Sequence, residues 1–220
     1  MKKNFVLVSL GFISFYYISC TTGLARFKVP SDANEPTLKP NTEILISETR
    51  PPKRFDFICF NNEVENIGKF VAVFRLCGLG GDRIEIKKGD LFVNGKTADD
   101  DLDLLQLYTL PLSEFDRISN LINTDETVVN EKKDSVSLFL STSFIKQHAV
   151  KATRVILPQN QKDEDIAKVF HQNWNPDHFG PVTVPPDYYF VLGDNRRHAA
   201  DSRYLGFISK NKLVGTVILK

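Results

Sequence analysis

Cysteine is scarce in this chain of 220 residues, which carries only Cys20, Cys59 and Cys77. Three thiols so scattered cannot build a disulfide framework, and none stands in a CxxC or CxxH spacing that would hold zinc. No metal and no other cofactor is expected. Cys59 and Cys77 lie in apolar runs, where a cysteine is commonly a small buried hydrophobe, although pairing in an oxidising compartment stays open. Excess charge of either sign is missing too. With 28 basic against 27 acidic residues the formal net charge is +1, so there is no electrostatic footprint for nucleic acid or for an acidic substrate. Repeats and low-complexity tracts are absent. A second membrane-length apolar run is also lacking, because the closing stretch from Leu213 to Leu219 is short and interrupted by Gly215.

What remains is an ordinary globular composition, 42% hydrophobic and 25% charged, in a chain long enough for one substantial core or a core with an inserted lobe. The exception is the N-terminus. Lys2 and Lys3 precede a run from Phe5 to Ala25 without a charge, and Arg26 and Lys28 follow. Such a run is about as long as a bilayer-spanning helix. It is expected to be a retained anchor. A cleaved signal peptide is the alternative, and Ser19-Cys20 offers a third reading as a lipoprotein acylated at Cys20, against which Tyr17 stands where an aliphatic residue is usual. Lys2, Lys3 and the amino terminus favour a cytoplasmic N-terminus, leaving the bulk of the chain outside.

Beyond the anchor, short apolar runs separated by turn signals read as strands. They are Thr42 to Ser47, Phe55 to Phe60, Phe70 to Leu76, Asp82 to Ile86, Tyr188 to Gly193 and Leu213 to Leu219. Asn94-Gly95 inside DLFVNGKTA is a two-residue hairpin signal. From about Ala98 to His178 the composition turns polar and helical, with acidic Asp99 to Asp103 and a helix expected near Ser143 to Ala149. The reading is a mainly β protein in three parts: an anchor or signal segment over 1–28, a β core over 29–97 and 179–220, and an inserted α/β lobe over 98–178.

Four segments in order carry a resemblance. VPSDANEPTL (Val29 to Leu38) is close to a pattern in which proline-serine leads to a nucleophilic serine, a methionine and then proline-threonine-leucine. RFDFICF takes the place of a GD-led apolar strand. FRLCGLGGDRI (Phe74 to Ile84) matches a lysine-bearing strand and its GLPGD turn, with Gly80 at the proline. GDNRRHAADSRYLGF (Gly193 to Phe207), with the preceding FGPVTVPPDYYFVL, is nearly a whole final box. Each GDN or GGD alone is only a turn signal, but four in register resemble the bacterial type I signal peptidase family. The resemblance implies an antiparallel β domain, a membrane anchor and a serine endopeptidase that removes signal peptides from secreted preproteins.

In that family a serine hydroxyl attacks the scissile carbonyl while a neutral lysine, its pKa lowered by burial, takes the proton. Carried across by motif position, the nucleophile falls on Ala33, the lysine on Phe74, and a serine that orients the lysine on Ala199. None of the three has a group to move a proton or attack. Ser31 matches a serine lining the oxyanion hole, and equally reads as a hydroxyl satisfying the turn after Pro30. Asp201 and Arg203 match an ion pair that braces the site; Asp194 and Asn195 match its tight turn. Lys28 and Lys69 are the nearest lysines in sequence. Lys69, five residues before Phe74, points to the other sheet face. His198 could act on Ser31 with Asp201 orienting the imidazole.

The expectation is therefore a non-catalytic relative at the outer face of a bacterial cytoplasmic membrane. Its partners would be the membrane together with extended preprotein segments or an active paralogue, taken by strand addition. The alternative is an active signal peptidase with a relocated nucleophile such as Ser31.

Overall fold

The computed structural model describes residues 14–15, 23–64 and 68–220. The charge-free run from Phe5 and the residue Cys20 lie almost wholly outside them, but Leu24 and Ala25, at its end, open a strand. No helix among the described residues is long and apolar enough to cross a membrane.

Strands β1 (Ser14–Phe15), β2 (Leu24–Lys28), β3 (Glu43–Ser47), β4 (Phe57–Val64) and β5 (Gly68–Leu79) come first. They are followed by β6 (Arg83–Lys87), β7 (Asp90–Val93), β8 (Lys96–Thr97) and β9 (Leu105–Pro111). Next come α1 (Leu112–Ile118), α2 (Thr124–Thr127), β10 (Val128–Glu131), β11 (Ser135–Ser141), α3 (Thr142–Gln147), β12 (Thr153–Arg154) and α4 (Glu164–Phe170). The chain returns through β13 (His178–Thr183) and β14 (Tyr188–Leu192), then α5 (Ser202–Leu205), β15 (Ile208–Ser209) and β16 (Leu213–Leu219). The architecture is mainly β and the strand pairings are antiparallel, in three sheets: β1-β2-β3-β16-β4-β5-β14-β15, β10-β11-β9-β12 and β13-β6-β7-β8.

The near-continuous apolar run of β5 fits burial on both faces. Val71 and Val73 join Phe57 and Cys59 of β4 on one side, while Phe70, Ala72, Phe74 and Leu76 join Ile58 and Phe60 on the other. A third cluster gathers Ile84, Ile86, Leu91, Phe179 and Phe190 beneath Trp174 and Phe170. Cys59 and Cys77 sit in different clusters as free buried thiols, so the pairing left open by the sequence is not made. Burial pushes both thiols up to about 12.

Residues 105–154 depart from the expectation of a polar, helical stretch. All four strands of the second sheet, β9 to β12, lie there. The burial of β9 and β11 alternates strictly, Tyr108 and Leu110 against Val136, Leu138 and Leu140 facing a core of their own. In β11 the outward positions Ser135, Ser137 and Ser141 are polar, and in β9 the buried Gln106 interrupts the apolar face, so neither strand reads as an apolar run although the period of two is kept. The expected helix survives as α3, capped by the Ser141 hydroxyl, which accepts from Phe144 N–H at 3.1 Å.

The GGD turn explains a departure from the family pattern. Gly81 has φ +92, and a Cβ on Gly80 would lie 2.2 Å from the Pro186 carbonyl oxygen, so neither a proline nor any other side chain fits at Gly80 unless the backbone of 185–187 moves. Asp82 closes the turn, accepting from Leu79 N–H at 2.6 Å, Asn94 Nδ2 at 2.8 Å and Arg54 at 2.9 Å. Burial works to raise its pKa, but these donors outweigh it and hold the carboxyl below its ordinary value. A depressed carboxyl gives stability above its unfolded pKa that is lost as pH falls through the lower folded one. Two outcomes follow. Gly80→Ala should cost about 1–3 kcal/mol by overpacking, read from urea midpoints. Asp82→Asn should lose less stability than the native chain between about pH 7 and about pH 3, measured the same way.

Candidate functional site

The segment after β2 leaves the sheet as a loop, fixed where Asn34 and Leu38 form a bridge. Asn34 Nδ2 donates 2.8 Å to the carbonyl of Val73, which ties the loop to β5 beside Phe74. From the other side Asn195 N–H donates 3.1 Å to the Ala33 carbonyl, and its Nδ2 donates to the Asp32 carbonyl at 3.3 Å. Ala33 is thus clamped between β5 and the loop 193–203. Space at Gly193 measures how tightly: a Cβ there would stand 2.3 Å from Ala199 Cβ and 2.4 Å from the Ala33 carbonyl oxygen.

The three positions named from the sequence do converge. Ala33, Phe74 and Ala199 belong to one apolar cluster and are 0%, 1% and 1% exposed. The Phe74 ring lies 6.3 Å from that of Phe60. Their side chains are hydrocarbon, so this locus offers nothing that attacks, accepts or donates a proton. Lys69 is exposed, on the sheet face opposite Phe74, paired across the sheet with Glu63. Ser31 is close in sequence, but its Oγ is buried and makes no hydrogen bond among the described residues.

The framework residues are spent on structure. Asp201, fully buried, accepts from Arg203 Nε at 2.9 Å and Nη2 at 2.8 Å, and from Gly193 N–H at 3.0 Å. Burial works to lower the Arg203 pKa, but the charge and hydrogen bonds of Asp201 outweigh it and raise it. The arrangement in which Asp201 orients His198 is therefore not formed. Instead His198 Nδ1 meets Asp32 Oδ2 at 2.9 Å, and its ring packs edge-on against Phe139 at 4.7 Å.

Sequence reasoning missed Arg75. Its guanidinium grips Asp194 in a bidentate contact, Nε to Oδ1 at 2.6 Å and Nη2 to Oδ2 at 2.5 Å, while Thr37 donates to Asp194 Oδ2 and Arg75 lies 4.2 Å over the Phe57 ring. Burial alone would lower the Arg75 pKa; the hydrogen bond and charge of Asp194 outweigh it and raise the value. A lone arginine inside an apolar run was the available signal, since such a charge demands a buried partner. Arg196 and Arg197 also escaped notice. They pair with Asp99 at 2.7 Å and Asp177 at 2.8 Å, tying the loop to residues 98–178. Among the described residues no group of three His, Cys, Asp or Glu side chains is placed to hold a metal.

The chain is thus of the class of mainly β proteins built from antiparallel sheets, with Ala33, Phe74 and Ala199 drawn together from three of the motif segments. The model of the family described as signal peptidase, peptidase S26, matches residues 2–220, and the chain belongs to that family. It is 25% identical over 203 residues to a protein named probable signal peptidase I-2 of Synechocystis, covering 89% of this chain and 62% of that one. It is 29% identical over 192 residues to signal peptidase I P of Bacillus subtilis subsp. natto, covering 85% and 71%. The chain thus spans under two thirds of the cyanobacterial relative. A solved signal peptidase I of Enterococcus faecalis V583 covers 77% of this chain at 22% identity with a TM-score of 0.38, a likeness too distant to carry weight.

Removing one member of the buried Arg203–Asp201 pair should be costly, because an arginine 1% exposed is left without its countercharge. Asp201→Ala is expected to lose about 3–5 kcal/mol in chemical denaturation. Asp90→Ala, which breaks a pair whose carboxylate is half exposed, should stay within about 1 kcal/mol.

Proposed function

We propose that this chain is a non-catalytic member of the signal peptidase family, anchored through residues 1–28 at the outer face of the cytoplasmic membrane. In this reading residues 29–97 and 179–220 form the family core, joined at its edge by β2 (Leu24–Lys28) from the end of the anchor segment, and 98–178 an inserted lobe. It binds extended preprotein segments, or an active paralogue, and does not cut. One observation carries the reading: Ala33, Phe74 and Ala199, at the positions of nucleophile, base and base-orienting serine, pack together as core. Losing the chemistry need not lose recognition, because strand addition draws on backbone hydrogen bonds rather than on a nucleophile.

A second reading, cleavage through Ser31 with His198 as base, has one contact in its favour, the imidazole held by a carboxylate through Nδ1 as in a serine triad. Against it, the Ser31 hydroxyl has no hydrogen bond to His198 or to any other described residue. A working base approaches its serine to about 3.2 Å, somewhat more loosely without substrate.

A preprotein cleavage assay in detergent separates the two. The native chain should show no Ser31-dependent turnover, at least roughly 10⁶-fold below a working serine peptidase, and Ser31→Ala should change nothing. Any cleavage by an Ala33→Ser/Phe74→Lys double variant would support a groove that still takes substrate. Cleavage by the native chain that Ser31→Ala abolishes would overturn the proposal.

A further inference from the structure

Away from the Ala33–Phe74 locus, a cleft of about 550 Å³ opens between β6 and the segment 172–180. That volume lies within the roughly 300–1,000 Å³ of small-ligand sites. We infer that this cleft binds an uncharged sugar ring, a hexopyranose unit of an oligosaccharide, on a Trp174 platform.

Its floor is apolar and fixed. Ile86 and Phe179 are buried, and the Trp174 ring lies 5.0 Å from Phe179 and 5.9 Å from Phe170. Only partly buried, the indole keeps surface in the cleft. Its rim mixes amides with charges: the exposed side chains of Gln159, Gln172 and Asn173 line the opening on one side, and Glu85, Lys87, Lys88 and His178 also line it. Neither these amides nor the indole N–H makes a hydrogen bond among the described residues, so their donors and acceptors are unspent. Most of the nearby charges are spent on each other, although Lys88 makes no ion pair among the described residues. Glu85 holds Lys87 at 3.0 Å and Arg83 at 3.5 Å, and Lys87 leans over the Phe92 ring. A phosphate or carboxylate would find Lys88 and His178 but no cage of several converging cations. A pyranose fits better: one face presents C–H groups that stack on an aromatic ring, and its hydroxyls donate and accept at once, as a side-chain amide does. The site shares no residue with the peptide-binding reading and stands or falls apart from it.

Trp174 is the only tryptophan in the chain, so intrinsic fluorescence reports on this cleft alone. The test titrates the full chain, kept in a phosphocholine detergent that carries no sugar headgroup, with cellobiose and with N,N′-diacetylchitobiose, and repeats the titration by saturation-transfer NMR. Saturable binding at roughly 1 mM is expected with at least one disaccharide. It should weaken about tenfold in Gln172→Ala/Asn173→Ala, a change of two exposed side chains that leaves the core untouched. Absence of saturable change by either readout, up to roughly tenfold above that concentration, overturns the inference. So does binding that the double variant leaves intact, or a fluorescence response to an extended alanine-rich peptide in place of either sugar.

Discussion

Strand β5 is clasped on both faces, and the rest of the site depends on that clasp. Neighbouring residues in a strand point to opposite sides, so Arg75 and Phe74 face different worlds. Arg75 reaches Asp194 and the Phe57 ring, while Phe74 turns into the cluster that holds Ala33 and Ala199. A guanidinium this deep must be matched in charge and in hydrogen bonds, and the match fixes where the loop 193–203 begins. Once Asp194 is placed, Asn195 falls against Ala33 and Asp32, and Gly193 is pressed so close to Ala199 that it has no room for a Cβ.

The same loop ties the three sheets together. Leu105 N–H donates to the Asp194 carbonyl, and Leu105 bridges Asn195 in parallel, so the first strand of the second sheet starts from the site itself. Arg196 reaches Asp99 and Arg197 reaches Asp177. Each of these pairs joins segments far apart in sequence, and each is buried or nearly so, where an unmatched member is expensive. These polar groups hold the loop in register with the sheets.

Much of the fold was legible in the sequence for a simple reason. The strands of the core are apolar on both faces, so β3, β4, β5, β14 and β16 stand out as runs, and Asn94-Gly95 marks its hairpin by conformational need alone. The second sheet was hidden because the serines of β11 and the buried Gln106 of β9 break up its apolar runs, beside a stretch rich in acidic residues. Within the site, the positions given by local motif, Ala33, Phe74 and Ala199, lie in one apolar cluster. Contacts set by tertiary placement did not announce themselves: nothing in HAADSR says that His198 turns to Asp32 while Asp201 keeps to Arg203. Arg75 was visible as a charge in an apolar run, but its partner lies 119 positions away.

The spending of polar atoms in the loop 193–203 also bears on how such chains are counted. Likeness in that stretch registers the demands of assembly, since its side chains pair with Thr37, Arg75, Asp99 and Asp177. A census drawn from that stretch alone would count how such chains are assembled, not whether they turn over. Two buried positions elsewhere in the fold, Ala33 and the bulky Phe74, are where a census of turnover has to look.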